Sequence, residues 1–283
     1  MSERAETAEV LRDRTAVVTG AGSGLGAAMA RVFATVGMAV AALDIAEAAA
    51  KVTATTLAAE HGVRTTAART DVGDADSVAA AARHVASELG GCDVLCANVG
   101  VQQFGAIDRL TEQDWQWVLG VNVMGTVRTI REFLPLLRAA TGWRRIVITS
   151  SSSALVPGPR LGAYQTSKFA VMGYGETLRQ ELADEGIGVS LLFPAGMITR
   201  HLESSALARP AVLGPSVTLP DDIEVMLSSQ QMGPGDIATP EHAVRHLLQD
   251  LLADEPYILT HGAYRARYNA RRDAIEAAFD RLE

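Results

Sequence analysis

The sequence predicts a doubly wound α/β fold, in which helices cover both faces of a parallel sheet. Runs that are apolar at every position, as in strands buried on both faces, occur at 16–18, 38–43, 94–96, 146–148 and 189–193. Between these runs, apolar residues recur at helical spacing, as Leu25, Met29 and Phe33 do. Strands that alternate with helices in this way form parallel sheets with crossover helices.

Composition narrows the class of protein. The 283 residues include 25 Lys and Arg against 33 Asp and Glu, a net charge of −8, and 48% are hydrophobic, as in a globular chain. Because phosphate binding needs clustered Lys and Arg, we expect no nucleic-acid partner. No apolar run approaches the ~18 residues that span a bilayer, and the N-terminus has no apolar signal region. We therefore expect a cytoplasmic protein without a membrane partner.

The pattern along the chain predicts a single domain over residues 1–283. No linker interrupts residues 14–194, whereas Pro and Gly punctuate residues 200–238, which we predict to be an irregular connection that acts as a substrate lid. Thr239 and Pro240 begin a further helix. A last strand at 257–259 and a helix from about Tyr264 form a C-terminal extension over residues 257–283.

Cysteine and histidine usage predicts no metal site. Cys92 and Cys96 lie in a strand-like apolar run, and no second Cys or His pair stands at metal-ligand spacing. We expect two buried thiols. The six histidines are scattered along the chain, and we predict that they lie on the surface.

A glycine-rich turn follows the first predicted strand. The segment TGAGSGLG, residues 19–26, lies between that strand and a helical pattern. Glycine lets the backbone turn sharply and approach a pyrophosphate, and the free amides of a helix start favour its negative charge. A tight turn without a ligand is the alternative, but the strand-turn-helix context favours a dinucleotide site.

Asp44 ends the second predicted strand, close to the distance beyond Gly26 at which an acid hydrogen-bonds the adenosine ribose. Its charge would repel a ribose 2′-phosphate, and no Arg follows it. The sequence therefore favours NAD over NADP. The alternative is a surface acid that caps the next helix.

A second group of polar residues carries the reactive chemistry. Tyr164 and Lys168 are four residues apart, which places them on one face of a helix. Ser151 follows the strand at 146–148, and Asn122 ends an earlier helical pattern. Tyr-xxx-Lys alone is also common as an exposed helix pair, so the combination with Ser151, Asn122 and the glycine turn is what makes it specific.

With these motifs the sequence resembles the single-domain short-chain dehydrogenases/reductases over roughly residues 12–200. Further matching elements are Asp71-Val72, Ala97-Asn98-Val99-Gly100 and Pro194-Ala195-Gly196-xx-Thr199. Two of them depart from the family pattern, which has Asn-Asn-Ala-Gly at 97–100 and Pro-Gly at 194–196. The resemblance implies a single doubly wound Rossmann fold with about seven parallel strands and flanking helices.

The resemblance also implies the site residues. The catalytic group would be Asn122, Ser151, Tyr164 and Lys168. The cofactor would be bound by Gly20, Ser23, Gly24, Leu25, Gly26, Asp44, Asp71, Val72, Asn98, Tyr164, Lys168, Pro194, Met197 and Thr199. In the family, the counterparts of Asp71 and Val72 meet the adenine edge, that of Asn98 lies beside a cofactor ribose, and that of Thr199 with the backbone near Met197 holds the carboxamide.

The reaction needs a group that transfers a proton as hydride moves. A free tyrosine has a pKa of ~10, and a lysine ammonium within ~4–6 Å lowers that value, so we expect Lys168 to lower the pKa of Tyr164. Ser151 would hydrogen-bond the substrate oxygen as it gains charge. On the family pattern, Lys168 also holds the nicotinamide ribose, and Asn122 holds a water that continues the proton relay.

These observations predict an NAD-dependent alcohol dehydrogenase or carbonyl reductase. Apolar residues in the predicted lid favour a bulky apolar or aromatic secondary alcohol or ketone as the small-molecule substrate. A catalytically silent NAD-binding regulator on the same fold is the alternative. An extended-type epimerase or dehydratase is disfavoured, because few residues follow Thr199. The resemblance implies a homodimer or homotetramer, through the helices around Asn122 and Tyr164.

Overall fold

The computed structural model describes residues 11–197, 199, 201–214, 218–230, 237–262 and 264–282. A seven-stranded sheet forms its centre. The strands are β1 (Thr15–Thr19), β2 (Ala39–Asp44), β3 (Thr65–Arg69), β4 (Val94–Ala97), β5 (Arg144–Thr149), β6 (Ile187–Phe193) and β7 (Tyr257–Leu259). All neighbouring pairs are parallel, in the order β3-β2-β1-β4-β5-β6-β7. The predicted Rossmann fold with about seven parallel strands is confirmed.

Helices follow most strands and return the chain to the edge of the sheet where the parallel strands begin. They are α1 (Gly24–Thr35), α2 (Glu47–His61), α3 (Ala75–Leu89), α4 (Glu112–Leu119), α5 (Gly125–Ala139), α6 (Gly162–Glu181), α7 (His201–Ala208), α8 (Pro220–Gln230), α9 (Pro240–Ala243), α10 (Leu247–Leu252) and α11 (Arg265–Phe279). No helix in the described part of the chain is long and apolar enough to cross a membrane.

Two hydrophobic cores lie on opposite faces of the sheet. Alternate residues of one strand enter different cores: Val17 packs with α3, α5 and α6, whereas Ala16 and Val18 pack with α1, α2, α9 and α10. Because both faces are covered, a central strand gains from apolar residues at every position. This double coverage explains the unbroken apolar runs in the sequence. Cys92 and Cys96 are fully buried, as predicted.

Strand β3 is absent from the apolar runs that the sequence shows. Its residues Thr65–Arg69 are half-buried or exposed, since β3 is an edge strand with one neighbour, β2. An edge strand needs less apolar surface than a central one, so its sequence carries little strand signal.

The segment 200–238 differs from the irregular connection that we predicted. Its described parts contain two helices, α7 and α8. Pro220 is the first residue of α8, where its missing N–H is harmless, and Asp221 and Asp222 follow in the first turn, where the helix dipole favours acids. A proline that resembles a loop signal therefore begins a helix.

Ion pairs attach both helices to the body of the domain. The carboxylate of Asp222 in α8 is 1% exposed and is paired with Arg109 and Arg160. After α7, Arg209 lies 2.6 Å from Asp114 of α4. The helices that follow β6 are thus held over the carboxyl end of the sheet.

We expect the core behind the glycine turn to dominate stability. Phe33 of α1 has no exposed surface, so Phe33→Ala should lower the free energy of unfolding by about 3–5 kcal/mol, through lost burial and a residual cavity. Val52 is 67% exposed, and Val52→Ala should change it by less than about 0.5 kcal/mol. Urea unfolding followed by circular dichroism measures both; equal losses would contradict the assignment of Phe33 to the core.

Candidate active site

The predicted site residues converge on one edge of the sheet. Gly20 follows β1, Asp44 ends β2, Asn98 follows β4, Ser151 follows β5 and Pro194 follows β6. All these strands are parallel, so their carboxyl ends line one crevice, which is where open α/β sheets bind ligands.

The glycine turn contains positions that favour glycine over any residue with a side chain. A Cβ on Gly26 would lie 2.0 Å from the carbonyl oxygen of Gly20, so only glycine allows α1 to start this close to β1. Gly20 and Gly24 have φ values of +69° and +53°, in the left-handed region that favours glycine. Because these positions carry no side chains, the backbone amides at the start of α1 can approach a pyrophosphate.

Residues between these glycines have different roles. Ser23 is the N-cap of α1, is exposed, and makes no side-chain capping hydrogen bond, so its hydroxyl is available to a phosphate. Leu25 is buried in the core. Across the crevice, Thr199 lies over Gly24, with its Cγ2 3.6 Å from the position of a Cβ there. The first and last motifs of the sequence thus face each other.

Asp44 is positioned by backbone amides. Its Oδ2 accepts from the Gly22 N–H at 2.9 Å, and its Oδ1 accepts from the Ala46 N–H at 2.9 Å. These bonds fix the carboxylate beside the glycine turn, the position that a ribose diol needs. Together with the glycine turn, this donor and acceptor set fits a dinucleotide.

Asn98 links the first and fourth strands. Its Nδ2 donates to the Thr19 carbonyl at 3.1 Å, and its Oδ1 accepts from the Thr149 hydroxyl at 3.0 Å. Nearby, the Asp71 carboxylate accepts from the Gly73 N–H at 2.9 Å, and Val72 is 4% exposed. These contacts give Asn98 a structural role, and the predicted cofactor roles of the three residues stay predictions.

The side chains of Ser151, Tyr164 and Lys168 lie close to one another. The Ser151 hydroxyl is close enough to the Tyr164 phenol to favour its ionised form, and the Lys168 Nζ lies 5.6 Å from the centroid of the Tyr164 ring. Lys168 is 4% exposed, and its Nζ donates to the Thr149 carbonyl at 2.9 Å. The first turns of α6 thus bring the predicted phenol and ammonium to one pocket beside the end of β5.

Burial governs the acidity of this group. It raises the pKa of Tyr164, although the hydrogen bond from Ser151 acts in the opposite direction. It also lowers the pKa of Lys168 to about 8. The pKa of Tyr164 is therefore raised overall, and not lowered as we expected, because removing the phenolate from water outweighs the favourable contact with Ser151.

Asn122 is fully engaged with protein groups. It lies in a short π-helical segment, Gly120–Met124, between α4 and α5. Its Oδ1 accepts from the Val101 N–H at 2.7 Å, and its Nδ2 donates to the Val101 carbonyl at 2.9 Å and the Ser167 hydroxyl at 2.8 Å. Its side chain thus joins the loop after β4 to α6, and the predicted relay water stays a prediction.

The segment after β6 borders the same crevice. The Pro194 carbonyl accepts from the Ser152 N–H at 2.9 Å, which joins this segment to the residue after Ser151. Met197 forms a parallel bridge with Ala238. These contacts hold the loop that leads to Thr199 beside the catalytic group.

One residue at the site is missed by our sequence prediction. His201, predicted to lie on the surface, is half-buried, and the centroid of its ring lies 6.3 Å from that of Tyr164. Tyr164 also packs against an apolar cluster of Phe104, Leu161 and Met226. The sequence did not predict this position, because His201 is a single histidine in a segment without a recognisable motif.

Comparisons with known proteins agree with this geometry. The family model described as short chain dehydrogenase matches residues 14–209. The chain is 36% identical to D-threitol dehydrogenase of Mycolicibacterium smegmatis, with 67% of this chain and 72% of that protein covered. It is 34% identical to the C alpha-dehydrogenase of a Sphingobium species, over 72% of this chain and 67% of that one.

A solved structure extends the likeness to nearly the whole chain. The structure is a short-chain dehydrogenase/reductase from Burkholderia phymatum in complex with NAD, at 31% identity. It superposes with a TM-score of 0.86 over 95% of this chain and 96% of that one. Motifs, fold and relatives agree: this chain belongs to the short-chain dehydrogenase family of oxidoreductases.

Proposed function

We propose that the protein is an NAD(H)-dependent oxidoreductase that transfers a hydride between the nicotinamide and a secondary alcohol or its ketone. One observation carries the proposal: the Tyr164 phenol lies beside both Ser151 and Lys168, at the crevice that the glycine turn borders. A site with a proton donor, a polar partner and an open pyrophosphate turn fits hydride transfer to or from a carbinol carbon.

The residues that would hold the cofactor follow from the crevice. The free amides at the start of α1 and the Ser23 hydroxyl would bind the pyrophosphate. Asp44 would accept from the adenosine ribose, with Asp71 and Val72 near the adenine. Asn98, Lys168 and the loop from Pro194 through Met197 to Thr199 would hold the nicotinamide half. When bound, the nicotinamide supplies the hydride acceptor or donor.

Tyr164 would transfer the proton. In ketone reduction, its hydroxyl gives a proton to the substrate oxygen as the carbon gains hydride; in alcohol oxidation, the phenolate takes that proton back. Because burial raises its pKa, the phenol of the free protein carries its proton at neutral pH, ready for reduction. Ser151 would donate a hydrogen bond to the substrate oxygen, an interaction that is strongest when that oxygen carries charge.

Lys168 would supply positive charge that favours the phenolate. With a pKa of about 8, its amine is mostly protonated at neutral pH. One of its three N–H donors is used by the Thr149 carbonyl, so the others can bind a ribose hydroxyl and a relay water. Asn122 would help to position Lys168, because its side chain donates a hydrogen bond to Ser167, one residue before Lys168.

The apolar side chains packed around Tyr164 favour a bulky apolar or aromatic substrate. Phe104 precedes α4, Leu161 precedes α6 and Met226 belongs to α8, and each is less than 10% exposed. Two residues of the predicted lid face solvent instead: Leu207 is 76% and Val212 is 91% exposed. The relatives named D-threitol dehydrogenase and C alpha-dehydrogenase are consistent with oxidation of an alcohol.

Removing the charge of Asp44 should change cofactor preference. Asp44→Asn removes the negative charge that repels a 2′-phosphate, so we expect kcat/KM with NADP relative to NAD to rise about tenfold or more. Initial rates with each cofactor measure this ratio. The control is Asp76→Asn, at an exposed acid in α3, which should leave the ratio unchanged. A preference for NADP in the unmodified protein would overturn the choice of cofactor.

Removing the Tyr164 hydroxyl should abolish turnover. With a panel of secondary alcohols and ketones and NADH absorbance as the readout, Tyr164→Phe should lower kcat by about 10²–10⁴, because general acid–base catalysis is lost. NADH binding, followed by fluorescence, should persist. Tyr174→Phe, at a half-buried tyrosine of the same helix, is the matched control. Cofactor binding without any turnover in the unmodified protein would instead favour an NAD-binding regulator.

A further inference from the structure

His201 is the polar group that the proposed mechanism does not use. It begins α7, and its ring lies at 59° to the Tyr164 ring with their centroids 6.3 Å apart. Tyr164 also packs against the buried apolar residues Phe104, Leu161 and Met226. His201 thus places a hydrogen-bonding group beside a ring that also has apolar neighbours.

Contacts along α7 fix the position of this helix. The Thr199 hydroxyl accepts from the His201 N–H at 3.3 Å, so the helix starts directly from the loop predicted to hold the nicotinamide. Ser205, 2% exposed, accepts from the Gln102 N–H at 3.1 Å. Beyond the helix, Arg209 is paired with Asp114 at 2.6 Å. These contacts tie α7 to the loop after β4 and to α4.

The imidazole keeps its hydrogen-bonding capacity for a ligand. Among the residues that the structure describes, none hydrogen-bonds its ring nitrogens; the bonds of His201 are those of its backbone. Burial and the nearby Lys168 lower its pKa to about 4, so the ring is uncharged at neutral pH. An uncharged imidazole has one donor and one acceptor, which suits a hydroxyl better than a carboxylate.

We propose that His201 is a specificity-determining residue that binds a second hydroxyl of the substrate, on the carbon next to the reacting carbinol. The inference rests on the proposed function and narrows its substrate class to vicinal diols with an apolar or aromatic group, and to the matching α-hydroxy ketones. The carbinol oxygen meets Tyr164 and Ser151, and the neighbouring hydroxyl meets His201. This second hydroxyl takes no part in bond breaking.

The physical reason is desolvation. A substrate that fills the pocket removes water from the imidazole, and an unpaired buried polar group is unfavourable. A substrate hydroxyl replaces that water, whereas a purely apolar substrate leaves the ring unpaired. Sites built to bind a hydroxyl discriminate strongly against analogues that lack it.

A matched pair of probes tests the contact. Styrene glycol and α-methylbenzyl alcohol share the aryl group and the secondary carbinol, and differ by one hydroxyl on the adjacent carbon. We would measure kcat/KM for both alcohols with NAD, and their calorimetric binding to the protein with NADH. The variants are His201→Phe, which keeps a ring, and His201→Gln, which keeps a donor and an acceptor; His242→Phe, at an exposed histidine, is the control.

The unmodified protein should favour the glycol. His201→Phe should lower kcat/KM for the glycol by about tenfold to a hundredfold and change that for α-methylbenzyl alcohol by less than about threefold. His201→Gln should restore most of the preference. An equal loss with both alcohols would assign His201 to packing, and no change with either would remove it from the substrate site; each overturns the inference.

The proposed function fails separately from this inference. If the glycol is neither bound nor oxidised while other alcohols turn over in a Tyr164-dependent way, the diol preference is overturned and the dehydrogenase function stands. Absence of turnover with every alcohol and ketone would contradict the function itself.

Discussion

The burial of a lysine ammonium beside a tyrosine phenol is the constraint on which the site depends. Lys168 and Tyr164 lie one turn apart on α6, and the backbone around Lys168 is itself fixed, because its carbonyl accepts from the Ser150 hydroxyl at 3.0 Å. Burial favours the neutral form of each side chain, so it raises the pKa of Tyr164 and lowers the pKa of Lys168. The Thr149 carbonyl and the Ser151 hydroxyl partly offset that penalty, and both come from the end of β5 and the residues that follow it.

The rest of the fold serves to bring other elements to this pair. The parallel sheet places the glycine turn, Asp44 and Asn98 at the same edge as Ser151. Gly100 adds a close contact, since a Cβ there would lie 3.1 Å from the Lys168 Nζ. The two helices after β6 then cover the edge, held by the ion pairs of Asp222 and Arg209. Residues far apart in the sequence thus form one crevice.

The sequence predicts most of this arrangement where the chemistry constrains residue type. Gly26 has no alternative at its contact with Gly20, and Tyr164 and Lys168 need helical spacing to meet, so each leaves a recognisable motif. Elsewhere the constraint is weaker. β3 lies at an edge and tolerates polar residues, Pro220 fits either a loop or a helix start, and His201 reaches the site only through the packing of α7. The pKa of Tyr164 depends on burial, which spacing does not reveal. The homo-oligomer and the cytoplasmic location stay predictions.

The most direct measurement is the titration of Lys168 itself. Lys51 and Lys168 are the only lysines in the sequence, so a Lys51→Arg protein with ¹³C-labelled lysine gives one ε-carbon signal. We expect this signal to titrate with a pKa of about 8 in the folded protein without cofactor, and to stay lowered in a Tyr164→Phe background, because burial is the cause. Titration at the ordinary value of ~10.4 would contradict a buried ammonium beside the phenol.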